Sequence, residues 1–87
     1  MPKLGVDAQT LALSALGWVL GDQDRAERLL ALTGLTPESL RERLGDPALM
    51  GAVLDFLCAH ERDLVAAAEA LDVPPQVLAN ARERLVS

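Results

Sequence analysis

The amino-acid sequence predicts an all-α fold: a compact bundle of about six short helices around a central apolar helix at about residues 47–59. Three observations predict it. About half of the chain is apolar, and Leu, Ala and Val supply nearly all of that half, with one Trp, one Phe and no Tyr. Leu and Ala are strong helix formers, whereas the aromatic and β-branched residues that favour strands are few. Helix punctuation then recurs at short intervals, either as a capping residue followed by Pro or as a terminating Gly. Between these marks the apolar residues fall at helical spacing.

The elements follow in order. Asp7 is placed to cap a first helix running to about Leu20, with Gly21 releasing it. Asp22 caps a second helix that continues through Leu32 or Thr33, where Gly34 ends it. A cap of this kind accepts an otherwise unpaired N–H of the first turn, and Gly adopts positive φ cheaply at the far end. "LTPESL" is the clearest start: Thr36 caps, Pro37 takes the first helical position where no N–H is needed, and Leu35 and Leu40 sit at the two positions of a hydrophobic staple. This third helix ends by Gly45. Asp46 and Pro47 repeat the signal and open a fourth helix reaching Ala59 or His60. A fifth spans about Arg62 to Leu71, "DVPP" breaks the chain, and a sixth runs from Pro75 to about Leu85. The connections are short, as in compact helical domains. Residues 1–87 therefore read as a single helical domain with a flexible N-terminus over residues 1–6.

The helix faces rank the elements. Helix two gathers Ala26, Leu29, Leu30 and Thr33 on one side and charges on the other, with Asp24 and Arg28 at i, i+4. It reads as a surface helix. Helix four, "PALMGAVLDFLCAH", carries a single charge, Asp55, and reads as the central helix. Helix one sets a stripe of small or polar residues, Thr10, Ser14, Gly17 and Gly21, against a very wide apolar arc. A domain of this size has room for one fully buried helix and rarely for two. The surplus assigns Leu13, Trp18 and Leu20 to an interaction surface, with Trp18 as its largest side chain. A two-fold homodimer that lays helix one on its copy, or on helix six, is the arrangement this predicts.

Charge and length exclude other classes. The net charge of −5 and the pI near 4.6 oppose sequence-independent binding to nucleic acid or anionic lipid. One cysteine makes no intrachain disulfide. The apolar run from Leu11 to Leu20 is about half of what a membrane span needs. Asp7 and the poor cleavage sequence "VLGDQD" argue against a signal peptide, so the expected setting is cytoplasmic. Seven Arg against one Lys, with abundant Ala and Leu, point to a GC-rich bacterial genome.

"FLCAHERDL" holds the only cysteine, Cys58, and the only histidine, His60, beside Glu61 and Asp63. A zinc site needs three or four converging ligands, yet Cys58 and His60 are two residues apart on a helix end and diverge by about 200°. The same geometry opposes a Cys–His nucleophile. Cys58 reads as a small buried hydrophobe and His60 as a donor to the last-turn carbonyls of helix four. Asp55 is a carboxylate on an apolar helix, so it must be exposed, paired or protonated. A thin polar edge with Gly51, Cys58 and Arg62, acceptance of N–H groups from a neighbouring helix start, and pairing with Arg25 or Arg28 all remain open. Asp55, His60 and Glu61 are thus polar-site candidates. No catalytic residue, cofactor site or metal ligand set is expected, and no phosphate loop, G-x-S-x-G or H-E-x-x-H occurs.

Residues 64–85 have the helix–turn–helix spacing that some DNA-binding regulators use, with Arg82 and Arg84 on the second helix. Its first turn, "PPQVLAN", lacks the cations that base and phosphate contact need, and Glu69 and Asp72 face the wrong way electrostatically.

"ALTGLTPESLR", "DPALMGAVLDFLCAHERDL" and "VPPQVLANARERL" together resemble a small alpha-proteobacterial all-helical family known as a domain of unknown function, over about Leu11 to Leu85. Leu-Thr-Gly-Leu at 32–35 and Asp-Phe-Leu-x-x-His-Glu at 55–61 carry the resemblance. Arg62 stands where that family usually has proline, and Ala66 and Ala67 where an aromatic is usual nearby. The resemblance implies a helical fold, a bacterial cytoplasmic setting and no catalytic residues. The functional expectation is a non-enzymatic protein–protein interaction or adaptor module that self-associates. The alternative is a helix-turn-helix-like DNA-associated regulator using residues 64–85.

Overall fold

A computed structural model describes residues 7–86. Six helices follow one another: α1 (Ala8–Leu20), α2 (Gln23–Thr33), α3 (Pro37–Glu42), α4 (Pro47–Cys58), α5 (Glu61–Leu71) and α6 (Pro75–Val86). The all-α bundle expected from the sequence is the fold observed. The flexible segment expected over residues 1–6 lies outside the described residues.

Local chemistry sets most boundaries. Asp22 accepts the Arg25 N–H at 3.0 Å, Thr36 accepts the Ser39 N–H at 3.1 Å, and Asp46 accepts the Ala48 N–H at 2.9 Å. Each satisfies a donor that the first helical turn leaves unpaired. Pro37 and Pro47 occupy the first helical positions as expected. Gly34 closes α2 with φ of 73°, the left-handed conformation that glycine takes without a Cβ penalty.

Two termini differ from expectation. Asp7 holds the cap position of α1, but its side chain accepts no backbone N–H and instead takes a 3.4 Å bond from the Thr10 hydroxyl. Gly21 ends α1 at φ of −74°, so positive φ is not its role. A Cβ there would lie 3.3 Å from the Trp18 carbonyl oxygen, and this close approach gives glycine its advantage. At the end of α5, Asp72 takes φ of 60°, a conformation that Asp tolerates better than most residues.

The core forms around α4. Leu49, Met50, Gly51, Val53, Leu54, Phe56 and Leu57 of that helix are buried. They meet Leu11, Ala12, Ala15, Leu16 and Val19 of α1 and Leu78 and Ala81 of α6 in a single apolar cluster. Leu29, Leu40, Ala67 and Ala68 add one or two residues each from α2, α3 and α5. α4 packs against α1, α5 and α6, and more lightly against α2. It is central, as predicted, but not enclosed. Ala48, Asp55 and Ala59 are exposed and Ala52 is half-buried, which opens one stripe of α4 to solvent.

α1 packs on α4 and α6 of its own chain. The inner face of α6 is therefore filled from within its own chain.

Candidate interaction surfaces

The residues that the sequence assigns to an interaction surface divide in the structure. Leu13 and Leu20 lie exposed at 46% and 43%. With Gly17 they follow i, i+4, i+7 spacing and so share one face of α1. Thr10, Ser14, Gly17 and Gly21 are exposed beside them, so the small-residue stripe faces solvent. A Cβ on Gly17 would meet nothing within 4 Å. The outer face of α1 is thus uncharged along its whole length.

Trp18 is different. It is half-buried and packs against the core cluster, and the Arg25 guanidinium lies over its ring at 3.7 Å from the centroid. The ring's electron-rich face attracts the cation. Among the described residues the buried Nε of Arg25 has no hydrogen-bond partner, and the guanidinium is held by its stacking on the indole. Trp18 belongs to the edge of the α1 surface rather than to its centre. Leu20, Leu30, Leu40 and Leu44, together with Arg41, line a recess of about 310 Å³.

A second surface lies along the open stripe of α4. A groove of about 540 Å³ runs between that helix and the end of α2. Leu49, Ala52 and Phe56 line it from α4, Leu32 and Leu35 from the other side, and Arg43, Asp55 and His60 supply its polar margin. Leu32 is 68% exposed, the highest value among the exposed large hydrophobic residues described.

Asp55 and His60 are brought to this groove without converging into a catalytic set, and Glu61 is not among its lining residues. Asp55 Oδ1 accepts the Arg82 Nε–H at 2.9 Å. Of the alternatives open for Asp55, pairing with Arg25 or Arg28 is not the one observed: Arg25 is stacked on Trp18, and Arg28 reaches Asp63 at 3.4 Å. His60 Nδ1 lies 3.0 Å from the Phe56 carbonyl oxygen. That oxygen only accepts, so Nδ1 carries the proton and donates. This is the last-turn donor role read from the sequence. The imidazole also lies 5.3 Å from the Phe56 ring, tilted by 45°. Glu61 is exposed at the start of α5. Cys58 is half-buried, and burial pushes its thiol above the usual range; Arg82 pulls it down less strongly, and Asp55 pushes it up by the least. A raised thiol is a poor nucleophile. Among the described residues, no three His, Cys, Asp or Glu side chains come together as a metal set.

Sequence reasoning missed Leu32 and Arg82. Leu32 carried a signal, since it falls outside the apolar side of α2 formed by Ala26, Leu29, Leu30 and Thr33. Arg82 carried none, because its partner is 27 residues away and only the packing of α6 on α4 brings them together.

A family model described as a protein of unknown function, DUF3572, matches residues 6–87. No curated protein and no solved structure matches the chain. Among the described residues, no helix is long and apolar enough to cross a membrane.

Proposed function

The chain belongs to the DUF3572 family, and we propose that it serves as a non-enzymatic protein–protein interaction module, a self-associating adaptor of the bacterial cytoplasm. One observation carries the reading. A chain with a complete core leaves two separate surfaces open, the uncharged Leu13–Gly17–Leu20 face of α1 and the groove beside α4, apolar at its floor with charged residues only at its margin. An adaptor needs two such surfaces, one for its copy and one for its partner. Contiguous exposed apolar surface on a small soluble domain marks interaction more often than isolated apolar residues do. The polar candidates support the same reading, because Asp55 and His60 are each engaged by structural partners.

The DNA-associated alternative draws less support. Leu78 and Ala81 bury one side of α6 in the core, and Arg82 on its flank is committed to Asp55. Heparin chromatography at low salt separates the two readings. An acidic adaptor passes through; retention with salt-dependent elution would favour the DNA reading. Capture from cells of the source organism, comparing the unmodified chain with Leu13→Glu, tests the α1 face. A partner lost with that substitution supports the assignment, and equal capture by both removes it.

A further inference from the structure

The two open surfaces differ in how charge is placed around them. The α1 face is bounded by Asp7 at one end and by Asp22 and Asp24 at the other. A second α1 laid on it in either direction sets carboxylate against carboxylate. The α4 flank has a direction instead. Arg43 lies near the N-terminal end of α4, where it bonds Asp46 and where the helix dipole is positive. Asp55 stands in the second half of the helix with its side chain 62% exposed, and Glu61 follows just past the end.

The same flank carries both a protrusion and a recess. Leu32 projects at its edge, and the groove over Leu49, Ala52 and Phe56 stands open beside it. We infer that a second copy of this chain docks here about a two-fold axis, with α4 antiparallel to α4, leaving the face of α1 free. The inference rests on the reading that the chain self-associates, and it names the surface. A two-fold contact must be self-complementary. The antiparallel arrangement carries the positive N-terminal end of each α4, with Arg43 beside it, toward the exposed Glu61 of the other copy. It also offers each Leu32 the apolar groove of the other copy. Asp55 enters already bound to Arg82, so the seam takes in no unbalanced charge.

The register follows from the spacing. Ala48, Ala52, Asp55 and Ala59 stand four, three and four residues apart along the open stripe. Reversing the helix puts Ala48 opposite the other copy's Ala59, and Ala52 opposite the other copy's Asp55. Alanine at three of these four places favours an axis separation toward the short end of the roughly 8–10 Å range of packed helices.

Cysteine cross-linking tests the register. In a Cys58→Ser background, Ala48→Cys and Ala59→Cys are made as separate chains. Both positions are exposed, and circular dichroism confirms that each variant folds. Within a dimer of one variant the two introduced thiols lie about 16 Å apart along the helices, beyond the roughly 7 Å Cα separation that a disulfide spans. Neither variant alone forms covalent dimer under mild oxidation, and the mixture does. Adding Leu13→Glu leaves the mixed product unchanged. Covalent dimer that forms as readily in either variant alone, or none in the mixture, overturns the inference. If the unmodified chain sediments as a dimer while the mixture stays unlinked, self-association stands and this surface is wrong. A chain that sediments as a monomer at about 100 µM, far above the micromolar range of a weak complex, overturns both.

Discussion

Arg82 donates its Nε–H to Asp55 Oδ1 at 2.9 Å, so the one charged residue of α4 is matched by a cation on α6. The pair is solvent-exposed, with side chains 36% and 62% accessible. Its contribution to the folding of one chain should therefore be small, about 0.2–1 kcal/mol by double-mutant cycle. A coupling above that range in urea melts of Asp55→Ala, Arg82→Ala and the double variant would mean that the pair holds α6 onto the bundle.

Phe56 is 5% exposed on the inner side of the groove. Phe56→Ala should cost about 3–5 kcal/mol, a large share of what a small domain possesses. Part of that loss comes through His60, whose imidazole loses its ring neighbour. A loss below about 1 kcal/mol in the same urea melts would show that α4 does not anchor the core.

Two glycines should respond to alanine with opposite signs. Gly34 sits at φ of 73°, where a Cβ is strained, so Gly34→Ala should destabilise by about 1 kcal/mol. Gly17 lies inside α1 with open space where its Cβ would be, so Gly17→Ala should stabilise by roughly 0.5–1 kcal/mol. Thermal melts of the two variants in parallel provide the check, and equal signs would mean that one backbone assignment is wrong.

The Ala48 N–H donates to Asp46 and holds its carboxyl below the usual carboxylate range, with the Arg43 hydrogen bond adding to the effect. A carboxylate with a lowered folded-state pKa binds protons more readily when unfolded. It therefore contributes stability above the unfolded value, and that contribution disappears as pH falls through the folded value. The stability of Asp46→Ala should accordingly fall less steeply with acid than that of the unmodified chain. Parallel acid titrations followed by circular dichroism show whether the curves converge at low pH as this requires.

The fold was legible in the sequence wherever a local signal specified it. Thr36 with Pro37, and Asp46 with Pro47, fixed helix starts because capping is decided within three residues. Gly34 fixed an end for the same reason. Asp7 and Gly21 show the limit: each occupies a boundary, but neighbours outside the local signal decide what it does there. The surfaces were legible in part. Leu13 and Leu20 are exposed as the excess of apolar residues on helix one implied, whereas Trp18 is claimed by Arg25. The Asp55–Arg82 pair and the open stripe of α4 arise from how α6 and α2 flank that helix, which no spacing along the chain encodes.

Sedimentation velocity on the unmodified chain, from about 1 µM to about 100 µM, tests self-association most directly. Reversible growth from the 9.3 kDa chain to a species of twice that mass is the expected result. One 9.3 kDa species at every concentration would contradict it.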